Sequence, residues 1–272
     1  HDQTTRSALE RTRLPSHIRA LLVPPGTVQT KPRALNYGLG FARGTIVGIW
    51  DAEDAPDPDQ LFAVAARFAR SAPRVACLQG ALDFYNARTN WMSRCFALEY
   101  ATWFRGVLPG LQAMAVPLPL GGTTVFFRRA ALEHLACWDA HNVTEDADLG
   151  IRLARAGYRT EMIDTTTYEE ANASPLPWIR QRSRWLKGYA MTWAVHMRQP
   201  RRLWQDLGPR GFIGFQTLFL GALTQFLLAP LMLSFWLLAF GLPHPMSGHV
   251  PTAVALTFLA LMIASEAVSI AL

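Results

Sequence analysis

Four short groups of residues in this 272-residue chain carry side chains that could do chemistry together. Asp51-Ala52-Glu53-Asp54 follows the apolar run Thr45-Ile46-Val47-Gly48-Ile49-Trp50. At the end of a buried strand the alternate acids Asp51 and Glu53 can converge on Mg2+ or Mn2+, hard ions that take oxygen ligands and hold a nucleotide diphosphate. Acids in that position equally serve to cap the helix that follows. Lys31-Pro32-Arg33-Ala34-Leu35-Asn36 puts a cation at a helix start, where ammonium and helix dipole together attract phosphate oxygens. A solvated lysine beside a proline at the first helical position reads the same way. Thr144-Glu145-Asp146 has the form of a helix start, with Thr144 at the N-cap and acids in the first turn. Transfer to a hydroxyl group needs a carboxylate that removes its proton, and Asp146 is the choice for that base. Asp148 is then an ordinary helix carboxylate.

The fourth group is Gln181-Arg182-Ser183-Arg184-Trp185, on a predicted helix over Pro177 to Met197. Positions 181, 184 and 185 share one face. A guanidinium there suits a diphosphate, because its planar fork bonds two oxygens at once. An indole suits a sugar, packing against the ring while its N–H bonds a hydroxyl. A basic, aromatic helix lying beside a membrane is the alternative, and Arg182 and Lys187 fit that role alone.

The elements that must position these groups alternate strand and helix, the pattern of an α/β domain whose ligands gather at the carboxyl ends of strands. Strands are predicted at Ile18–Val23, Thr45–Trp50, Val75–Leu82, Val125–Phe127 and Tyr158–Ile163. Thr45–Trp50 is continuously apolar, as in a parallel sheet buried on both faces. Helices are predicted at Pro32–Ala42, Asp59–Ser71, Arg129–Cys137 and Ala147–Gly157. Residues 91–116 carry Trp91, Met92, Phe96, Trp103 and Phe104 and read either as core helix or as a helix in a membrane interface.

Composition divides the chain. Half of its residues are hydrophobic and 17% are charged, but the end of the chain from residue 212 on is nearly free of charge. Phe212 to Leu242 holds no Asp, Glu, Lys or Arg, and Ala253 to Leu272 is interrupted only by Glu266, so two membrane spans are predicted. Glu266 would then face protein or water rather than lipid. Arg198, Arg201, Arg202 and Arg210 flank the first span, which places the catalytic part in the cytoplasm. The net charge of +6 comes with arginines beside a span rather than an aromatic-interleaved patch, so no nucleic-acid partner is expected. Cys77, Cys95 and Cys137 form no CxxC pair, which fits a reducing compartment without a disulfide framework or zinc site. His1 to Arg13 is polar, without an apolar signal segment, and the chain reads as a piece of a longer protein.

The four groups in this order resemble the inverting, membrane-integrated members of glycosyltransferase family 2, which include bacterial cellulose synthase and other β-glycan synthases. Asp51 and Glu53 match the metal motif, with Glu in place of a second Asp. Thr144-Glu145-Asp146 matches TED, and Gln181, Arg184 and Trp185 match QxxRW. Lys31 matches the diphosphate-side lysine, and Gly121-Gly122-Thr123 matches the small-residue segment lining the acceptor site. The resemblance implies a GT-A-like mixed sheet followed by interfacial and transmembrane helices. It divides the chain into a tail (1–17), a catalytic domain (18–174), QxxRW and interfacial helices (175–211) and transmembrane helices (212–272). It further implies Asp146 as base; Lys31, Asp51, Glu53, Gln181 and Arg184 toward the donor diphosphate; and Glu145, Trp185, Gly121, Gly122 and Thr123 toward the acceptor. The implied reaction moves a sugar from a nucleotide-sugar, a UDP-hexose, to a growing β-linked polysaccharide at the inner membrane, with the bilayer and export or regulatory subunits as partners. The alternatives are a single transfer to a lipid acceptor and a catalytically silent scaffold subunit. The family's opening nucleotide-binding strand and its Asp have no counterpart between His1 and Leu272.

Overall fold

A computed structural model describes residues 3–244 and 249–271. At its centre is a five-stranded mixed sheet: β1 (Ile46–Ile49), β2 (Ala55–Pro56), β3 (Val75–Phe84), β4 (Val125–Arg128) and β5 (Arg159–Glu169), in the order β1-β4-β3-β5-β2. Only β3 and β5 are parallel; the remaining pairs are antiparallel. The helices are α1 (Gln3–Arg11), α2 (Lys31–Leu39), α3 (Gln60–Arg70), α4 (Trp91–Ala101), α5 (Leu108–Ala113), α6 (Arg129–His134), α7 (Glu145–Arg155), α8 (Pro175–His196), α9 (Pro200–Phe215), α10 (Gly221–Ser234), α11 (Trp236–Ala239) and α12 (Thr252–Ala271). Two wider, π-helical stretches, Thr102–Val107 and Gln216–Leu220, join α4 to α5 and α9 to α10.

Both faces of the sheet are covered, because its strands alternate apolar side chains between them. Phe126 and Leu78 meet Val64 and Phe68 of α3 on one face. Cys77, Val125 and Phe127 meet Leu39, Leu132, Leu149 and Leu153 of α2, α6 and α7 on the other. The mixed α/β sheet is the fold class expected from the sequence.

Several predicted elements change. Ile18–Val23 is not a strand: among the described residues it pairs with no other strand, and Ile18 and Leu22 lie exposed. The 45–50 strand is antiparallel to β4 and sits at the sheet edge, so only Ile49 of β1 is buried. The helix after β4 stops at His134, since Ala136 and Cys137 take positive φ, which a right-handed helix excludes. β5 runs six residues beyond Ile163; Thr165 and Thr167 are buried there, with Gln60 Nε2 donating to the Oγ1 of each at 3.1 Å. In the 91–116 segment Phe96, Phe104 and Leu108 are buried and Trp91 is 72% exposed, so one face is core.

The carboxyl-terminal third also differs from expectation. Among the described residues one helical stretch, Pro200–Ala239, is long and apolar enough to cross a membrane, with a kink at Gly208 (φ 67°) before Pro209. The second predicted span falls on α12 (Thr252–Ala271), of which Thr252–Ser265 is the described apolar stretch, so among the described residues multi-pass topology is not supported. The side chain of Glu266 lies outside the described residues. Phe215 and Phe219, at the start of the first predicted span, are instead buried against Ala147, Ile151 and Leu203. Ile213 (61% exposed) and Leu220 on the same stretch are exposed, as are Phe226, Leu227 (80% exposed) and Leu228 further along.

Candidate active site

The carboxyl end of β1, the 121–123 segment, the start of α7 and one face of α8 surround a single cavity of about 1380 Å³. Every residue expected to serve donor, acceptor or proton transfer lines it: Lys31, Asp51, Glu53, Gly121, Gly122, Thr123, Glu145, Asp146, Gln181, Arg184 and Trp185. Both π-helical stretches line it too, through Thr102, Trp103, Phe104 and Val107 on one side and Thr217 and Leu218 on the other.

Lys31 opens α2, and Pro32 behind it fixes the first turn. Its Nζ donates to the Gly122 carbonyl (2.9 Å) and pairs with Asp51 Oδ1. Both side chains of that pair are 37% exposed, so the pair adds little stability and can open to a ligand. Asn36 anchors the same helix: its Nδ2 donates to Trp138 O (2.8 Å) and its Oδ1 accepts from Trp138 N–H (3.1 Å).

After β1 the chain turns through Asp51–Asp54. The Asp51 N–H donates to Asp54 Oδ2 (2.7 Å), which also accepts from the Thr123 hydroxyl. Asp54 therefore builds the turn, and its Oδ1 is buried without a partner among the described residues. Burial holds its carboxyl above the usual range, against the Thr123 hydrogen bond. Asp51 and Glu53 remain to face the cavity. Among the described residues no three His, Cys, Asp or Glu side chains form a ready metal cage. The pair nevertheless fits Mg2+ or Mn2+, because such ions bind through one or two carboxylates plus substrate phosphates and water.

Asp146 lies in the first turn of α7, where its Oδ1 accepts the Ala147 N–H at 2.8 Å. Burial, reinforced by the neighbouring Glu145 charge, pushes its carboxyl up to about 7, while the Ala147 N–H and Lys31 oppose the rise. Glu145 is buried and also raised, by burial first. Gly122 leaves room for the carboxylate: a Cβ there would lie 3.0 Å from Asp146 Oδ2 and 3.8 Å from Lys31 Nζ. Thr144 occupies the N-cap position, but its side chain does not cap; the hydroxyl lies 3.4 Å from Asn142 Oδ1.

On α8, Gln181 accepts from Asn172 Nδ2 at 2.9 Å. Arg184 is exposed and unpaired among the described residues, a free guanidinium at the cavity wall. Trp185 packs against Phe84, Phe96 and Ala171, and the Arg182 guanidinium sits 4.7 Å from its ring centroid. That contact takes up one ring face of the indole proposed to hold a sugar.

Two functional-site residues escape sequence reasoning. Arg182 is not a solvated juxtamembrane cation: it is 13% exposed, grips Glu99 of α4 with both terminal nitrogens, and lies over Phe96 and Trp178 as well as Trp185. Glu169, at the end of β5, lines the cavity and is raised to about 8 by burial and by the charges of Asp54, Asp51 and Glu53. The only signal for Glu169 was the acidic pair Glu169-Glu170 ending a β-branched run. Asp148, expected as an ordinary helix carboxylate, is buried between His196 and Arg152. Burial opposes its ionisation, yet the His196 hydrogen bond and the Arg152 charge hold it below the usual range.

A mixed sheet thus gathers an acidic turn, a half-buried carboxylate and an arginine unpaired among the described residues around one cavity. Residues 46–265 match the family described as Glycosyl transferase family group 2. The chain belongs to that family and forms a family 2 glycosyltransferase domain. It is 28% identical over 228 residues to a beta-monoglucosyldiacylglycerol synthase of Synechocystis sp., covering 80% of this chain and 45% of that one. It is 25% identical over 169 residues to a probable glucomannan 4-beta-mannosyltransferase of Arabidopsis thaliana, covering 60% and 38%. A solved mannosyltransferase from Pyrobaculum calidifontis, in complex with GDP-Man and Mn2+, is similar over 67% of this chain and 53% of that one, with 20% identity and a TM-score of 0.45. The chain spans about a quarter to just under half of the length of the curated relatives it matches.

Proposed function

We propose that this chain is the catalytic part of an inverting glycosyltransferase that moves a sugar from a nucleotide-sugar, a UDP-hexose, onto a growing β-linked polysaccharide at the inner membrane. The observation that carries the reading is the cavity itself, in which a half-buried carboxylate, Asp146, shares walls with the cations Lys31 and Arg184. In this reading the acceptor oxygen attacks the anomeric carbon while Asp146 takes the hydroxyl proton. The bond from that carbon to the diphosphate breaks on the opposite face, so one displacement inverts the centre. Lys31 and Arg184 stabilise the charge that develops on the departing diphosphate, the contribution expected to be largest. A Mg2+ or Mn2+ ion held by Asp51 and Glu53 would neutralise further phosphate charge. Gln181 supports the diphosphate side, while Trp185, Glu145, Gly121, Gly122 and Thr123 form the acceptor side.

The division of labour follows the proposed domains: a catalytic domain (18–174), QxxRW and interfacial helices (175–211) and membrane helices (212–272). Arg198, Arg201, Arg202 and Arg210 beside the apolar stretch support a cytoplasmic catalytic face. A lipid acceptor is the second reading. It is favoured by the apolar wall of the cavity at Trp103, Val107, Leu218, Ala222 and Phe226, part of which belongs to the candidate membrane helix. The test is full-length protein in membranes, supplied with a panel of labelled UDP- and GDP-sugars and Mg2+ or Mn2+. A long product supports the polymer; a singly glycosylated lipid supports the second reading; no nucleotide release from any donor rejects both.

A further inference from the structure

One stripe of α8 joins the two halves of the cavity. Gly188, Thr192 and His196 recur every four residues, so they lie on one face, and all three are buried. Opposite them is the segment that carries Asp146. Gly188 lies against Thr144 so closely that a Cβ would approach the threonine side chain to 2.4 Å. Thr192 Oγ1 accepts from Asn142 Nδ2 at 2.9 Å, and Asn142 Oδ1 in turn accepts the Thr144 N–H at 3.1 Å. His196 Nε2 meets Asp148 Oδ1 at 3.0 Å. Arg155 Nη1 lies 2.9 Å from His196 Nδ1. A guanidinium only donates, so Nδ1 accepts and the ring proton sits on Nε2, directed at Asp148. The second Asp148 oxygen accepts from Arg152 Nε at 2.7 Å, and Arg155 is itself held by Asp206 of α9.

These contacts bracket Asp146 on both sides, at Thr144 and Asp148. On α8 they begin one turn beyond Arg184 and Trp185. Of the four polar members Asn142 lines the cavity, whereas Asp148, Thr192 and His196 are not among its lining residues.

We propose that Asn142, Asp148, Thr192 and His196 are positioning residues for the transfer step, locking the helix that carries Asp146 to the helix that carries Arg184 and Trp185. The proposal rests on the reading of the cavity as a glycosyl-transfer site. Base and leaving-group side are then held in one fixed relation, which a one-step displacement requires. A misplacement of about 1 Å in such a relation costs roughly a hundredfold in rate. The buried amide of Asn142 and carboxylate of Asp148 also cannot lose a partner without leaving a polar atom unsatisfied.

The test compares full-length parent, His196→Ala, His196→Gln and Thr192→Val in membranes. The readouts are kcat per folded molecule, donor KM, and the folded amount from nucleotide binding. Glutamine keeps an N–H for Asp148, alanine does not. His196→Ala is expected to lower kcat about tenfold to a hundredfold, with donor KM within about twofold of the parent, and His196→Gln to restore most of the loss. Thr192→Val is expected to show the same split with a smaller loss. Parental kcat per folded molecule in His196→Ala, or a folded His196→Gln no better than His196→Ala, overturns the proposal. Should His196→Ala fail to accumulate, parental kcat in Thr192→Val overturns it by itself. An inactive parent defeats the transferase reading instead, so the two failures are distinguishable.

Discussion

If Asp146 removes the acceptor proton, the reaction must be switched off by acid at an unusually high pH. An ordinary aspartate titrates near 3.8, whereas burial and Glu145 bring this one to about 7. About half of the molecules then hold the active carboxylate at pH 7, about a tenth at pH 6, and about nine-tenths at pH 8. The expected kcat/KM thus falls roughly tenfold for each pH unit below 7. Glu145→Gln removes the like charge that is the second cause of the rise, so its acid limb moves to lower pH. At pH 6 the variant keeps a larger share of its own plateau than the parent does. The assay is initial nucleotide release by full-length protein in membranes between pH 5 and 9, with the divalent ion saturating. An acid midpoint in the ordinary carboxylate range, or a limb that Glu145→Gln leaves in place, refutes the assignment.

Three further outcomes follow from the geometry. Arg184→Ala should weaken donor binding or slow nucleotide departure, since it is the free guanidinium on the cavity wall; kinetics equal to the parent would remove it from the site. Gly188→Ala should lower thermal stability by about 1–3 kcal/mol, because its Cβ would overlap Thr144, and an unchanged melting temperature would mean that the two helices are not so closely joined. Asp146 and Glu169 hold protons in the folded state up to about 7 and about 8, while their ordinary values are 3.8 and 4.5. The folded protein therefore binds more protons than the unfolded one across that window. Their contribution to stability is complete below about pH 4 and is lost as pH rises through 7 to 8. Asp146→Asn should accordingly gain stability over the parent as pH rises from 4 to 8; a constant difference between their melting temperatures would contradict this.

How much of this was legible depended on whether a residue's surroundings are local. β1 and β3 announce themselves as short apolar runs, and α7 and α8 by their helical spacing, so the residues at their ends could be named from sequence. Which residues meet across the fold could not. Thr165 and Thr167 lie beyond the strand expected to end at Ile163, yet Gln60 from α3 satisfies them inside the core, and β5 continues on to Glu169. Arg182 looked like any basic residue near a membrane until α4 supplied Glu99 and Phe96. Ile18–Val23 had strand composition but no partner, which only the sheet order reveals. Phe215 and Phe219 were apolar enough for a span, and apolarity alone does not distinguish lipid from the flank of α7.

The most direct test of the central claim is transfer by full-length Asp146→Asn beside the parent, at pH 8, with the donor that the parent uses. The account predicts nucleotide binding close to parental and no measurable glycosylated product. Product formation at a rate close to the parent's would contradict it.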